Sequence, residues 1–147
     1  MGLPMTLSPQ LPRTGSEAMA LFLPQSPFVR HMGIELVDIE EGSARLRMPF
    51  REELVTVGDM VHGGALAGCI DIGIMAAAWA GALLPEQLRG VTVSMSIDFI
   101  QPANAESVDI IGTRLRAGRH LSTCRVDIVA TDGGRLIAAG AGTYKVG

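Results

Sequence analysis

Cysteine is scarce, with two in 147 residues. Cys69 and Cys124 lie in apolar, patterned segments with no metal-ligand spacing around them, so both read as small buried residues rather than parts of a disulfide scaffold or a metal centre. A basic excess is lacking as well. Twelve Lys and Arg stand against fifteen Asp and Glu, for a net charge of −3, and a nucleic-acid surface shows the opposite balance. Aromatic residues make up only 4% of the chain, which leaves Trp79 and a few Phe as candidates to wall a pocket. The first residues, MGLPMTLSPQLPRTGSE, contain no sustained apolar core and read as a loose tail over residues 1–16 rather than a targeting segment. With reduced cysteines, that leads to the expectation of a cytoplasmic protein. Residues 17–147 form one domain, with no internal repeat or composition break, in a chain long enough to bury roughly two thirds of its unfolded surface.

What the chain does have is one long apolar run, from Val61 to Leu84. Between His62 and Glu86 the only ionisable carboxylate or base is Asp71. A helix apolar on all sides is normally buried, and an unpaired charge inside a protein costs several kcal/mol, so this carboxylate calls for a partner, water or a proton. Asp71, with Gly68, Gly73 and Gly81, also argues against a membrane span. At the head of the run, Gly63 and Gly64 leave backbone N–H groups uncovered where the helix dipole favours negative charge. An anion site and an expensive carboxylate therefore share one helix, expected over residues 63–83 and ended by Pro85. Leu66, Ile70, Ile74, Met75, Trp79 and Leu83 are its core candidates, and its small residues let another backbone come close.

Around this helix the pattern is mostly strand. A short amphipathic piece, residues 17–23, started by Ser16 and stopped by Pro24, reads as a lid or brace. Residues 34–48 form a hairpin about Glu41-Gly42, with either Leu36 or Val37 facing inward. Val91, Val93, Met95, Ile97 and Phe99 alternate with Thr92, Ser94, Ser96 and Asp98, a strand with one wet face. Strands follow at residues 108–115, 121–130 and 136–146, with a hairpin signal at Thr131-Asp132-Gly133-Gly134. The order gives an α+β class, an antiparallel sheet curled around one central helix.

Val61-His62-Gly63-Gly64 with Asp71 nine positions after the His, then Gly90-Val91-Thr92-Val93 and Asp98-Phe99-Ile100-Gln101-Pro102-Ala103, resembles the hotdog-fold acyl-CoA thioesterases, in particular the phenylacetate-degradation type. The resemblance covers about residue 28 to the C-terminus. It implies a homodimer or dimer of dimers, with sheets joined edge to edge and active sites at the subunit interface. It also implies roles: the Gly63 N–H, helped by Gly64, holds the oxyanion; Asp71 acts as nucleophile or general base; Thr92 orients the water; His62 fixes the loop. Helix geometry fits a shared site. Asp71 lies seven residues beyond Gly64, about 10 Å along the axis, so one carbonyl cannot touch both, whereas two helices antiparallel across a two-fold bring Gly63 of one copy toward Asp71 of the other.

The sequence departs from the family where many relatives place an Asn six positions before the His; here that residue is Thr56, a donor of shorter reach. Coenzyme A is a polyanion, and Arg114, Arg116, Arg119 and His120 cluster about the Ala117-Gly118 turn, with Arg89 and Arg125 as possible additions. No metal or separate cofactor is implied, since coenzyme A is part of the substrate. The alternatives are a non-catalytic acyl-CoA binding or sensing module and, less well matched, a hotdog hydratase or dehydratase, whose His and acid stand at a different spacing.

Overall fold

The computed structural model describes residues 11–147, and most of the expected tail lies outside them. The first helix, α1 (Gly15–Phe22), begins earlier than the amphipathic pattern indicates. The reason is Thr14, not Ser16: the Glu17 N–H donates to Thr14 Oγ1 (3.2 Å), and the Glu17 carboxylate takes the Arg13 N–H (2.7 Å), a T-x-x-E cap in which the Glu reaches back one residue beyond the N-cap. A 3-10 turn, Leu23–Gln25, and a short helix, α2 (Pro27–Met32), follow. Strands β1 (Glu35–Glu40) and β2 (Ser43–Met48) then form the expected hairpin. A bulge at Val37 settles the inward position in favour of Leu36, leaving Val37 exposed. The small hairpin β3 (Val55–Val57) and β4 (Met60–Val61) leads into α3 (Gly63–Trp79), and β5 (Gly90–Phe99), β6 (Val108–Ala117), β7 (Ser122–Ala130) and β8 (Leu136–Val146) complete the chain.

Six strands form one antiparallel sheet in the order β1-β2-β6-β7-β8-β5, and its concave face holds α3, which packs on β2, β5, β6, β7 and β8. Close approach is obtained by omitting side chains. A Cβ on Gly73 would stand 2.8 Å from both Ile110 and Val126, and one on Gly112 would stand 2.5 Å from the Gly73 carbonyl. Leu66, Ile70, Ile74 and Trp79 are buried in this seam, at about 2 kcal/mol per side chain removed from water.

The helix is shorter than expected, and the cause is tertiary. Ala80 leaves the helical conformation and Gly81 adopts φ 74°. The Ala80 carbonyl accepts the Gly42 N–H (2.9 Å) and Arg114 Nη1 (2.8 Å), and Arg114 also donates to Ala78 O (3.3 Å). These donors take over carbonyls that a further turn would have used, so Leu83, expected in the core, is 93% exposed. No helix among the described residues is long and apolar enough to cross a membrane.

Strand β5 corrects a second expectation. Its register with β8 shifts between Thr92 and Ser94, making Val93 the extra residue of a bulge. Thr92 pairs with Tyr144, while Met95, Ile97 and Phe99 pair with Gly142, Gly140 and Ala138. Those β8 residues face α3: a Cβ on Gly140 or Gly142 would strike Ile70 or Ile74. Directly paired residues share a face, so the bulge turns Thr92 from the expected wet face to the helix side.

Candidate active site

The site begins at the head of α3. His62 is the N-cap, with extended φ −62° and ψ 135°, and its Nδ1 accepts the Gly64 N–H at 2.7 Å. With Nδ1 as the acceptor, Nε2 is the ring nitrogen left to donate. The His62 N–H donates to Leu54 O (2.7 Å) and the Val61 N–H to Ala103 O (2.9 Å), which fastens the loop on both sides. Gly64 is thus committed to the cap. The Gly63 N–H has no acceptor among the described residues, and Gly63 lines a cavity of about 290 Å3 with Phe99, Ile100 and Pro102.

Asp71 lies eight residues further along, about 12 Å at 1.5 Å per residue. It belongs to a half-buried stripe with Ala67 and Met75 on a helix otherwise largely buried. Thr92 Oγ1 donates to Asp71 Oδ1 at 2.6 Å, a short charge-assisted bond. The second carboxylate oxygen, Oδ2, has no hydrogen-bond partner among the described residues. Within one chain the structure brings Asp71 to Thr92 and His62 to Gly64, and keeps the Gly63 donor apart from the carboxylate.

The remaining candidates fall elsewhere. Thr56 is exposed on β3, within the hairpin that precedes His62. Arg114, Arg119 and His120 line a cavity of about 370 Å3 at the far end of α3, near Pro85; Arg114 is also bound to the helix-end carbonyls described above. Arg116 is exposed on the sheet, Arg125 pairs with Asp127 at 3.2 Å, and Arg89 lines a cavity that also touches Met75 and Trp79. Among the described residues, no group of three or more His, Cys, Asp or Glu side chains is gathered to hold a metal ion. Burial pushes the Cys69 thiol up to about 12 and the Cys124 thiol up to about 11, so neither offers a thiolate nucleophile at neutral pH.

Two features escape a reading of the sequence. Asp109, 1% exposed, sits on β6 among Arg45 (2.8 Å), Arg47 (2.7 Å) and the Thr131 hydroxyl (2.8 Å). The Arg47 bond, aided by Thr131 and Arg45 against the cost of burial, brings its pKa down to about 2. Arg45 and Arg47 alternate with the buried Ala44, Leu46 and Met48 on β2, but the acid that joins them is 62 residues away from Arg47. The second feature is a buried hydrogen bond from Trp79 Nε1 to Tyr144 Oη (3.1 Å). Burial, the leading cause, raises the Tyr144 phenol pKa; the Trp79 bond opposes this and the Asp71 charge adds to it.

Comparison with known proteins bears on this arrangement. The sequence profile of the thioesterase superfamily matches residues 58–137, which contain the His62-Gly63-Gly64 cap, Asp71 and Thr92. A Thermoplasma acidophilum protein named "Putative esterase" is 32% identical over 121 residues, covering 81% of this chain and 87% of its own. The medium/long-chain acyl-CoA thioesterase YigI of Escherichia coli K12 is 27% identical over 142 residues, covering 86% of this chain and 90% of its own. The E. coli PaaI protein of the phenylacetic acid degradation operon superposes with a TM-score of 0.74 at 20% identity, over 89% of this chain and 94% of that one. That likeness shows the hotdog fold, a sheet wrapped on one long helix.

Proposed function

The chain belongs to the thioesterase superfamily, and on that premise we propose that it hydrolyses acyl-CoA thioesters to the free acid and coenzyme A. What supports this reading is the bond from Thr92 to Asp71. It fixes one oxygen of the single carboxylate on α3 and leaves the other without a hydrogen-bond partner among the described residues, with an uncommitted Gly63 N–H on the same helix. In the proposed dimer the Gly63 N–H of one copy polarises the thioester carbonyl held at Asp71 of the other. Water attacks the carbonyl carbon and gives its proton to Asp71 Oδ2, with the oxyanion held by the Gly63 N–H. The tetrahedral species then collapses with cleavage of the C–S bond, and the proton passes to the departing thiolate. Attack by Asp71 itself, through an anhydride that water then opens, uses the same atoms. Arg119 and His120, with Arg114, receive the phosphates of coenzyme A. No cofactor beyond the substrate's own coenzyme A enters, and the expected setting is the cytoplasm.

The dimer is supported by β5. It is a sheet edge ten residues long, and Val91, Val93, Met95 and Phe99 are exposed along it. A long apolar edge invites pairing with another strand. The test of the activity is free-thiol release from a panel of acyl-CoAs, with Asp71→Asn alongside. Hydrolysis by the native chain and its loss in the variant are expected; equal turnover by both removes Asp71 from the reaction.

A further inference from the structure

One turn of α3 beyond Asp71 begins a cavity of about 380 Å3 that the chemistry above leaves unused. Met75 and Trp79 follow Asp71 at i+4 and i+8, on one stripe of α3, and both line it. Gly90, two residues before Thr92 on β5, and the Tyr144 ring line it as well. Asp71 and Thr92 do not line the cavity themselves, but they lie one helical turn from Met75 and two residues from Gly90 on the two elements that do. The hydrogen-bonded Trp79–Tyr144 pair lies about 12 Å further along the helix. Gly90 keeps that end open for the phenol, because a Cβ there would stand 2.4 Å from Tyr144 Oη.

The other side of the cavity is α1. Two bonds at the exit of α3 tie it down, from the Gly15 N–H to Ala82 O and from the Gly81 N–H to Ser16 Oγ, both 2.9 Å. At Gly15 the backbones touch so closely that a Cβ would lie 2.0 Å from Trp79 O. Ala18 and Met19 are buried against the cavity, while Leu21 and Phe22 stay half-exposed beside it. This helix lies outside the residues matched by the superfamily profile.

Resting on the reading of the chain as an acyl-CoA hydrolase, we infer that this cavity takes the substrate's acyl chain, with α1 as its roof and the Trp79–Tyr144 pair as its floor. The occupant that fits is a straight, medium-length acyl group. The roughly 12 Å of helix from Asp71 to Trp79 suits an extended chain of about eight to twelve carbons. A shorter chain leaves apolar wall unmatched, and each added methylene that reaches the floor raises kcat/KM about threefold to fourfold.

Trp79 is the only tryptophan in the chain, so the floor carries its own reporter. The Asp71→Asn protein, in which turnover is expected to be slow, is titrated with decanoyl-CoA, butyryl-CoA and free coenzyme A while its fluorescence is followed. A saturable change with decanoyl-CoA alone is expected; a response indifferent to chain length, or no response, overturns the assignment. In thiol-release assays, Met75→Trp lowers the decanoyl-to-butyryl ratio of kcat/KM at least tenfold. Phe22→Ala, at a half-exposed position that does not endanger folding, raises KM for decanoyl-CoA severalfold. Ratios within twofold of the native value in both variants also overturn it. A chain-length-dependent Trp79 signal in a protein that hydrolyses none of the thioesters keeps the acyl site and removes the hydrolase reading.

Discussion

Gly63 and Gly64 stand side by side at the head of α3, yet the His62 cap leaves one N–H free. His62→Ala removes the Nδ1 acceptor and is expected to lower stability by about 1 kcal/mol, as loss of an N-cap does, read as a lower denaturation midpoint; His62→Asn, which keeps an acceptor, restores most of it. At the carboxylate, Asp71→Asn lowers kcat by roughly 100-fold or more. Thr92→Val lowers it roughly tenfold by releasing Oδ1, and Thr92→Ser stays near the native rate. Asp109 governs acid stability instead. Its pKa is depressed in the folded state to about 2 from 3.8. The stability it contributes is therefore fully present above about pH 4 and is lost as pH falls toward 2. That contribution is about 2 kcal/mol. Urea denaturation is expected to show Asp109→Asn less stable than the native chain near neutrality, with the gap closing by about that amount at pH 2.

At the scale of elements, two local events decide where functional groups end up, and both involve partners distant in sequence. The head of α3 was legible, because a His followed by two glycines before an apolar run is a local pattern. Its end was not. Nothing between Trp79 and Pro85 signals that Gly42 and Arg114 will claim the last carbonyls. Arg114, expected among the groups that hold coenzyme A, is therefore also a helix-end donor. Arg114→Ala is expected to lower stability by about 1 to 2 kcal/mol, whereas Arg119→Ala raises KM for acyl-CoA and leaves the denaturation midpoint in place. The face of Thr92 was hidden in the same way. Strict alternation sends Thr92 away from the helix, and only the pairing of β5 with β8 reveals the extra residue at Val93. Sequence periodicity assumes an unbroken ladder, and the bulge that breaks it is what delivers the hydroxyl to Asp71.

For the whole molecule, an antiparallel sheet wrapped on a single helix could be expected from segregated strand and helix patterns, because both depend on local periodicity; the order of the strands, with β5 beside β8 rather than β6, could not. The proposed dimer draws on surfaces that one chain leaves open: the β5 edge, the Ala67–Asp71–Met75 stripe, and a Gly63 donor about 12 Å along α3 from the carboxylate. Met95→Lys on β5 is expected to shift the sedimentation of the protein toward monomer and to lower thiol release in parallel. The most direct test of a shared site mixes two inactive proteins, Asp71→Asn and Gly63→Pro. Proline at the first helical position removes the N–H with little disturbance: a Cβ at Gly63 meets nothing nearer than Phe99 at 3.7 Å, and the extended His62 backbone suits a following proline. In a mixed dimer one site carries both lesions and the other carries neither. Thiol release from the co-refolded mixture is predicted to return to about a quarter of the native rate, half the sites in half the dimers; a mixture as inactive as its two components would contradict a site shared between copies.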